Sequence, residues 1–337
     1  MQDSAGRLVC EDGVVCDPNA WPGLPEWTWQ GTHSVQVEND LFGSTNDRHY
    51  THGMRYSWTS APHKLPPWWC QLACRLGFLP QSGSARTSLA LGQSMFTPED
   101  ITVRELIPED RPYAGWLYVT GGYVIEGSSK RDLHTVEFTL GIVGPQSFAD
   151  TTQTRWHELI GSPRPNGWSN QLDNEPGLVI GYERKRRFPG KTGMSWVPEV
   201  DLTPHGAVNL GNVYTHAAAG VTLRLGSGLD NDYGAPLIQP SLSGSGFFEE
   251  SKDRAFNWYV FAGGSARLVA RNIFLDGNTF ATSHHVNKEP LVGDLQAGLV
   301  LSYANWRLSY TQIFRTQEFQ GQDDFDRFGA LSLSIRF

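Results

Sequence analysis

Long apolar runs are missing from this 337-residue chain. None approaches the roughly 20 residues that a membrane-crossing helix needs, so a helical membrane protein is excluded. A basic surplus is missing too. With 27 Lys and Arg against 35 Asp and Glu, the formal charge is −8. Little is left over to neutralise phosphates, which argues against nucleic acid as the main partner. The one dense basic cluster, ERKRR at 183–187, reads as a solvated strand end or turn. Cysteine is scarce: Cys10, Cys16, Cys70 and Cys74 form two close pairs with no nearby His to complete a zinc pattern. Two disulfides fit an oxidising compartment such as the periplasm, and three pairings stay open. The start, MQDSAGR, lacks a charged region followed by an apolar run, so any export signal is expected to have been removed. Neither GxSxG nor HExxH occurs.

What the chain does contain is glycine, aromatics and alternation. It has 36 Gly and 12% aromatic residues, a charged fraction of only 18% and a mean hydropathy of −0.37. That average suits a transmembrane β-barrel, in which only alternate residues face lipid. In FGALSLSIRF (328–337), Leu331, Leu333, Ile335 and Phe337 alternate with Ala330, Ser332, Ser334 and Arg336, a period of two. A last strand that ends on a terminal Phe resembles bacterial outer-membrane barrels. Similar segments are read at 32–40, 50–60, 85–95, 113–126, 132–143, 176–186, 194–204, 213–225, 256–270, 292–303, 305–317 and 325–337. The expectation is an all-β fold, a twelve-stranded antiparallel transmembrane β-barrel over 32–337, after an N-terminal periplasmic segment at 1–31. Trp and Tyr near many strand ends suit interfacial girdles.

With both termini periplasmic, the connections at 41–49, 96–112, 144–175 and 271–291 are extracellular, where barrels of this kind carry their longer loops. Two periplasmic connections are too long for tight turns. Residues 61–84 are read as a short interfacial segment held by a Cys70–Cys74 bridge, and 226–255 has no assignment. A soluble β-sandwich and a non-catalytic pore are the alternatives without chemistry, although bulky inward residues such as Arg55 favour a filled lumen.

Polar residues crowd the tip of the first hairpin, VENDLFGSTNDRHYTHGMRYSW (37–58). Val35 and Val37 share one face, so alternation turns Glu38 and Asp40 to the lumen. It does the same for Thr51, Gly53 and Arg55, opposite His52, Met54 and Tyr56. Asn39 points the other way unless a bulge re-aims it. A carboxylate beside amide, hydroxyl and carbonyl oxygens is hard-cation chemistry, suited to calcium. In DTTQTRWHELIGSPRPNGW (150–168), residues 151–160 read as a helix that starts at Asp150 or Thr151 and stops at Gly161. Gln153 and His157 share one face, and Trp156 and Ile160 form an adjacent apolar stripe. Such a helix can lie against the wall and turn His157 toward Asp40 and Thr51, where a neutral imidazole takes a proton from water. Each feature alone has a plain reading: a turn at Asn39-Asp40, a surface His157, and Asp110 and Arg111 as a surface pair launching a strand.

Together, VENDLFGSTNDRHYTHG (37–53), FTPED (96–100), EDRPYAGWLY (109–118), GIVGPQS (141–147), RWHELIG (155–161), GWSNQL (167–172) and TQEF (316–319) resemble the outer-membrane lipid A 3′-O-deacylases, the LpxR family. The resemblance implies a calcium-dependent ester hydrolase that removes the 3′-linked acyloxyacyl group of lipid A in lipopolysaccharide, at an outer-membrane site facing the cell exterior. It places Asn39, Asp40, Thr51, Gln153 and His157 on family active-site positions. His157 is then the general base, water the nucleophile, and Ca2+ held by Asn39 and Asp40 the carbonyl polariser. Arg104, Asp110 and Arg111 are assigned to substrate or oxyanion contacts, and the protein is expected to act as a monomer. Two positions depart from the family pattern. Val103-Arg104 stands where some members have Lys-Arg, and Pro163 stands where a family acidic residue follows the histidine, leaving Glu158 or Glu175 as substitutes. The nearest alternative is a calcium-dependent outer-membrane phospholipase with a serine nucleophile.

Overall fold

A computed structural model describes residues 8–9, 15–16, 29–42, 49–77, 79–190, 198–236, 242, 246–249 and 256–337. Its frame is twelve long strands: β1 (Gly31–Asn39), β2 (His49–Ser60), β3 (Gly83–Thr97), β4 (Ala114–Gly127), β5 (Asp132–Val143), β6 (Glu175–Arg186), β7 (Glu199–Gly211), β8 (Tyr214–Gly226), β9 (Phe256–Asn272), β10 (Leu291–Tyr303), β11 (Trp306–Arg315) and β12 (Asp326–Arg336). Neighbours pair antiparallel in chain order, and β12 returns to β1 with Gly329 opposite Asn39 and Arg336 opposite Thr32. Gly31 and Phe337 exchange backbone hydrogen bonds, which completes the ring. A closed ring has no edge, so every ladder group is paired within the wall.

Alternation sorts the side chains as the pattern predicts. On β1, Ser34, Gln36 and Glu38 are buried while Val35 is exposed, and on β3 Leu89 and Leu91 are exposed between buried Ser88, Ala90 and Gly92. Strand β7 departs from the reading, running to Gly211 rather than stopping near Pro204. The reason lies in the ladder. Toward β6, pairing runs from Gly211 to His205 and resumes at Leu202 opposite Phe188, so Pro204 falls where no partner asks for its missing N–H. The ERKRR cluster also departs from a solvated turn. Glu183, Lys185 and Arg187 are buried, and Arg187 donates to the carbonyls of Leu229, Asp232 and Lys130.

Those carbonyls belong partly to the connection between β8 and β9, whose described residues fold up into the lumen. Asp232 lies between Arg224, Arg307 and Tyr259. Tyr233 donates to Glu126, Glu249 pairs with Arg86 and Arg336, and the carbonyl of Gly246 accepts from Ser34 and Arg307. Leu242 reaches a void of about 90 Å³ that Trp116, Tyr118, Glu137 and Arg267 also line. This segment is a plug at the end of the barrel that carries both termini. It explains a length that no turn required, and with Arg55 buried on Gln36 it gives a filled lumen.

On the outside of the same end lies α1 (Pro67–Leu76), with Trp69 and Ala73 packed on Ala85 and Ile125. Proline at its first turn and Gly77 at φ 70° bound the helix. Cys70 and Cys74 are both disulfide-bonded, and α1 packs against the ribbon of Leu8–Val9 and Val15–Cys16. The pairing lies outside the described residues, as does most of the segment 1–28.

Replacing Asp232 by Ala takes the carboxylate from buried Arg307 and one of two from buried Arg224. The expected loss is about 3–5 kcal/mol, seen as a lower temperature for heat-induced unfolding of the detergent-solubilised barrel, with the strand content of the folded form unchanged.

Candidate active site

The end opposite the termini carries the longer loops. In the loop after β5, α2 (Ala149–Ile160) starts two residues earlier than the reading placed it. Its N-cap is Phe148 at φ 59°, not Asp150 or Thr151, while Gly161 at φ 73° ends it as expected. The helix lies on the outer surface of the wall, over β3 and β4. The Nε2 of Gln93 donates to the carbonyl of Ser147 at 2.6 Å, and Gly115 lies directly beneath Ser147 and Ala149. A Cβ at Gly115 would stand 2.1 Å from the Ser147 hydroxyl and 2.3 Å from the Ala149 Cβ, so the close approach of helix and wall requires glycine there.

Met95, Tyr113, Ala149 and Trp168 form the apolar floor of this seam. Trp168 packs on Tyr113 with ring centroids 5.0 Å apart, and its indole N–H donates to Gln153 Oε1 at 2.7 Å. Tyr113 donates to the carbonyl of Ile101, and burial keeps its hydroxyl protonated, well above the usual phenol range. Gln153 and His157 are both buried on the wall-facing side of α2. The Nδ1 of His157 lies 2.5 Å from the carbonyl oxygen of Pro163. A carbonyl can only accept, so Nδ1 carries a proton, and in the neutral form of the ring the lone pair lies on Nε2. At Pro163, where the sequence offers no acidic side chain, the backbone carbonyl orients the imidazole. Neither suggested substitute does so. Glu158 is exposed, and Glu175 is bound by Asn212, Asn278 and Thr279.

The first hairpin carries the other candidate residues and borders β3 on the same outward face. Pairing between β2 and β3 slips between Tyr50 and His52, so Thr51 is the extra residue of a bulge. Its hydroxyl meets Thr97 Oγ1 at 2.7 Å, and Thr97 belongs to the outward set of β3 with Leu91, Gln93 and Met95. Thr51 is thus turned outward, a correction to the inner-wall position that strict alternation gave it. Asn39 stays on the outward face opposite His52, its Nδ2 donating to the Thr51 carbonyl at 3.0 Å and lying 3.3 Å from His52 Nδ1. Asp40 is buried and opens a single turn, Asp40–Phe42, that folds over the rim: Phe42 sits on Gly329, and its carbonyl accepts from Tyr310. Asn46, Asp47 and Arg48 lie outside the described residues.

Three residues read as substrate contacts do not join the seam. The Arg104 side chain is exposed, and its carbonyl accepts from Asn170. Asp110 caps backbone, accepting from the N–H groups of Glu99 and Arg111. Arg111 is buried on the lumen side, over the Phe96 ring and 3.4 Å from Glu318. Burial alone would raise the Glu318 carboxyl. Arg315, Arg111 and Arg267 outweigh it and hold the group at about 2. His49, at φ 63°, is also buried and sits 2.5 Å from Asp326. Thr97, Trp168 and the Pro163 carbonyl are the seam groups that sequence reasoning missed. FTPED and GWSNQL held the first two without suggesting a role, and a backbone carbonyl leaves no residue-type signal.

Among the described residues, no group of three or more His, Cys, Asp or Glu side chains could hold a metal ion. The donors here are of another kind: one carboxylate, an amide, hydroxyls and backbone carbonyls. That set fits a hard cation such as calcium in type.

The family model described as outer membrane protein LpxR matches residues 23–337. The chain belongs to the LpxR family. The structure of LpxR from Salmonella typhimurium shares its fold at a TM-score of 0.73 and 19% identity, covering 91% of this chain and 100% of that one. The β domain of the Bordetella autotransporter BrkA is more distant, with a TM-score of 0.44, 9% identity and coverage of 92% and 100%. The KdgM porin is at 0.37 and 7%, with coverage of 91% and 99%. No curated protein matches. The LpxR fold is an outer-membrane barrel, so the twelve strands read from alternation are transmembrane strands.

Gly115→Val is expected to lift α2 from the wall while the barrel still folds, at about 1–3 kcal/mol. Limited proteolysis should then cut within 144–174 faster than in the wild type. Glu318→Gln tests the lumen network. Because the folded carboxyl lies at about 2 against an ordinary 4.5, its stabilisation is complete above about pH 4.5 and lost as pH falls toward 2. The variant should unfold more easily at neutral pH, and the gap should close on acidification.

Proposed function

We propose that this LpxR-family barrel is a lipid A-modifying ester hydrolase of the outer membrane. It removes the 3′-O-linked acyloxyacyl group from lipopolysaccharide, and the α2 end faces the cell exterior. The observation that carries the reading is the His157–Pro163 contact. It fixes the tautomer that a general base needs, on a buried ring at a seam with hard-oxygen donors.

His157 Nε2 takes the proton from a water as its oxygen attacks the ester carbonyl, and later returns it to the departing alkoxide. Gln153, locked by Trp168, positions the water with its amide group. Asn39 and Asp40, with oxygens from the Thr51 region, would hold calcium. When bound, that ion polarises the ester carbonyl and offsets the charge of the oxyanion. Thr51 acts through its contact with Thr97, keeping the bulge and the Asn39 amide in place. Arg104, exposed on the loop after β3, is assigned a phosphate contact of the substrate. Asp110 and Arg111 support the loop and lumen.

Mass spectrometry of lipid A from cells displaying the protein is the test. The wild type should remove one 3′-acyloxyacyl mass, and His157→Ala should slow this about 10²–10⁴-fold. Asp40→Ala or calcium chelation should also abolish it, with the barrel still folded. A covalent serine-directed inhibitor should have no effect, because water is the nucleophile. Unchanged lipid A with confirmed surface display would sink the reading, and inhibition by the serine reagent would move it to a phospholipase.

A further inference from the structure

Helix α2 has a second face that the reaction does not use. Residues on a helix follow at 3.6 per turn, so Ala149, Gln153 and His157 form the stripe on the wall. Roughly a quarter turn away, Phe148, Thr152, Trp156 and Leu159 form another. Phe148 is 62% exposed, Trp156 48% and Leu159 77%. Thr151, Thr154 and Glu158 lie on the opposite flank and give the helix a polar side.

The position of α2 says what covers the apolar stripe. The helix lies on the outside of the barrel, anchored at Gln93 and Gly115. Two residues along the same outward rows, about 7 Å further on, are Leu91 and Leu117, followed by Leu89 and Val119. These rows are the lipid-facing belt of the strands. Leu91 at 52% and Val119 at 54% have bare surfaces comparable to that of Trp156. The stripe on α2 therefore continues an existing lipid interface. Arg155 and Arg164 are exposed beside it, suited to the phosphates at the edge of the acyl layer.

We infer that α2 is an interfacial helix, its Phe148, Trp156 and Leu159 flank seated in the acyl chains of the surrounding outer-leaflet lipid. The inference rests on the outward orientation proposed above. Membrane contact presses the helix onto the wall and places His157 at the depth where ester bonds of membrane lipids lie. The surface accepts bulk lipid acyl chains, not the scissile chain, which belongs in the seam.

The test places an environment-sensitive fluorophore on Leu159→Cys and, as the control, on Glu158→Cys, in full-length protein reconstituted with brominated phospholipids. No free cysteine competes among the described residues. The label at 159 should emit to the blue and be quenched by bromine, while that at 158 should emit as in water. Equal, water-like emission at both positions would overturn the inference, whatever the enzyme does. In parallel, Leu159→Asp should slow turnover of bilayer-embedded lipid A about tenfold while leaving detergent-dispersed lipid A unaffected. Equal loss on both substrates would overturn it by showing a structural role. A wild type inactive on either substrate, with 159 still quenched, would instead remove the proposed reaction and leave the interfacial helix standing.

Discussion

Hydrocarbon offers no hydrogen bonds, so every peptide group along the wall must find its partner within the wall. Much else in this protein depends on that demand. It closes twelve strands into a ring, joining Gly31 to Phe337. It forces side chains into two alternating sets, one for lipid and one for the lumen. The lumen set is then free to be charged, but only if the charges pair. Arg224 meets Asp201 and Asp232, Arg267 and Arg315 meet Asp294, and Glu318 answers three arginines. The plug completes the same logic, because Asp232 and Glu249 bring carboxylates to guanidiniums that the wall leaves facing inward.

The candidate site exists because the alternation is broken locally. The bulge at Thr51 turns a hydroxyl to the outer side, and the missing Cβ of Gly115 lets a loop helix settle on the wall. Without the first, Thr51 would face the lumen and the arginine network. Without the second, Gln153 and His157 would stand too far from the wall to be buried against it. Both faults lie at the loop end of the barrel, where strands splay and the ladder tolerates irregularity.

The candidate seam is thereby kept apart from the lumen. Arg111 and Asp110 adjoin the strand that carries Gly115, yet one is folded into the lumen network and the other caps a loop. A sequence motif groups these residues, yet their side chains part company in the loop before β4 begins at Ala114. His157 shows the complementary case. Its orienting partner is a backbone carbonyl at a position where a side chain would be sought.

Twofold alternation, the positions of all strands but β7, the helix in the long loop, and the grouping of Gln153 with His157 were legible in the sequence. Each follows from local periodicity and short-range sterics, which do not need the rest of the chain. The extent of β7 past Pro204, the buried role of ERKRR, the folding of the described part of the β8–β9 connection into the lumen and the outward turn of Thr51 were decided by tertiary structure alone. These depend on which neighbour's ladder has a gap, which guanidinium lacks a carboxylate and which face a helix covers, and such facts come into being only when strands distant in sequence lie side by side.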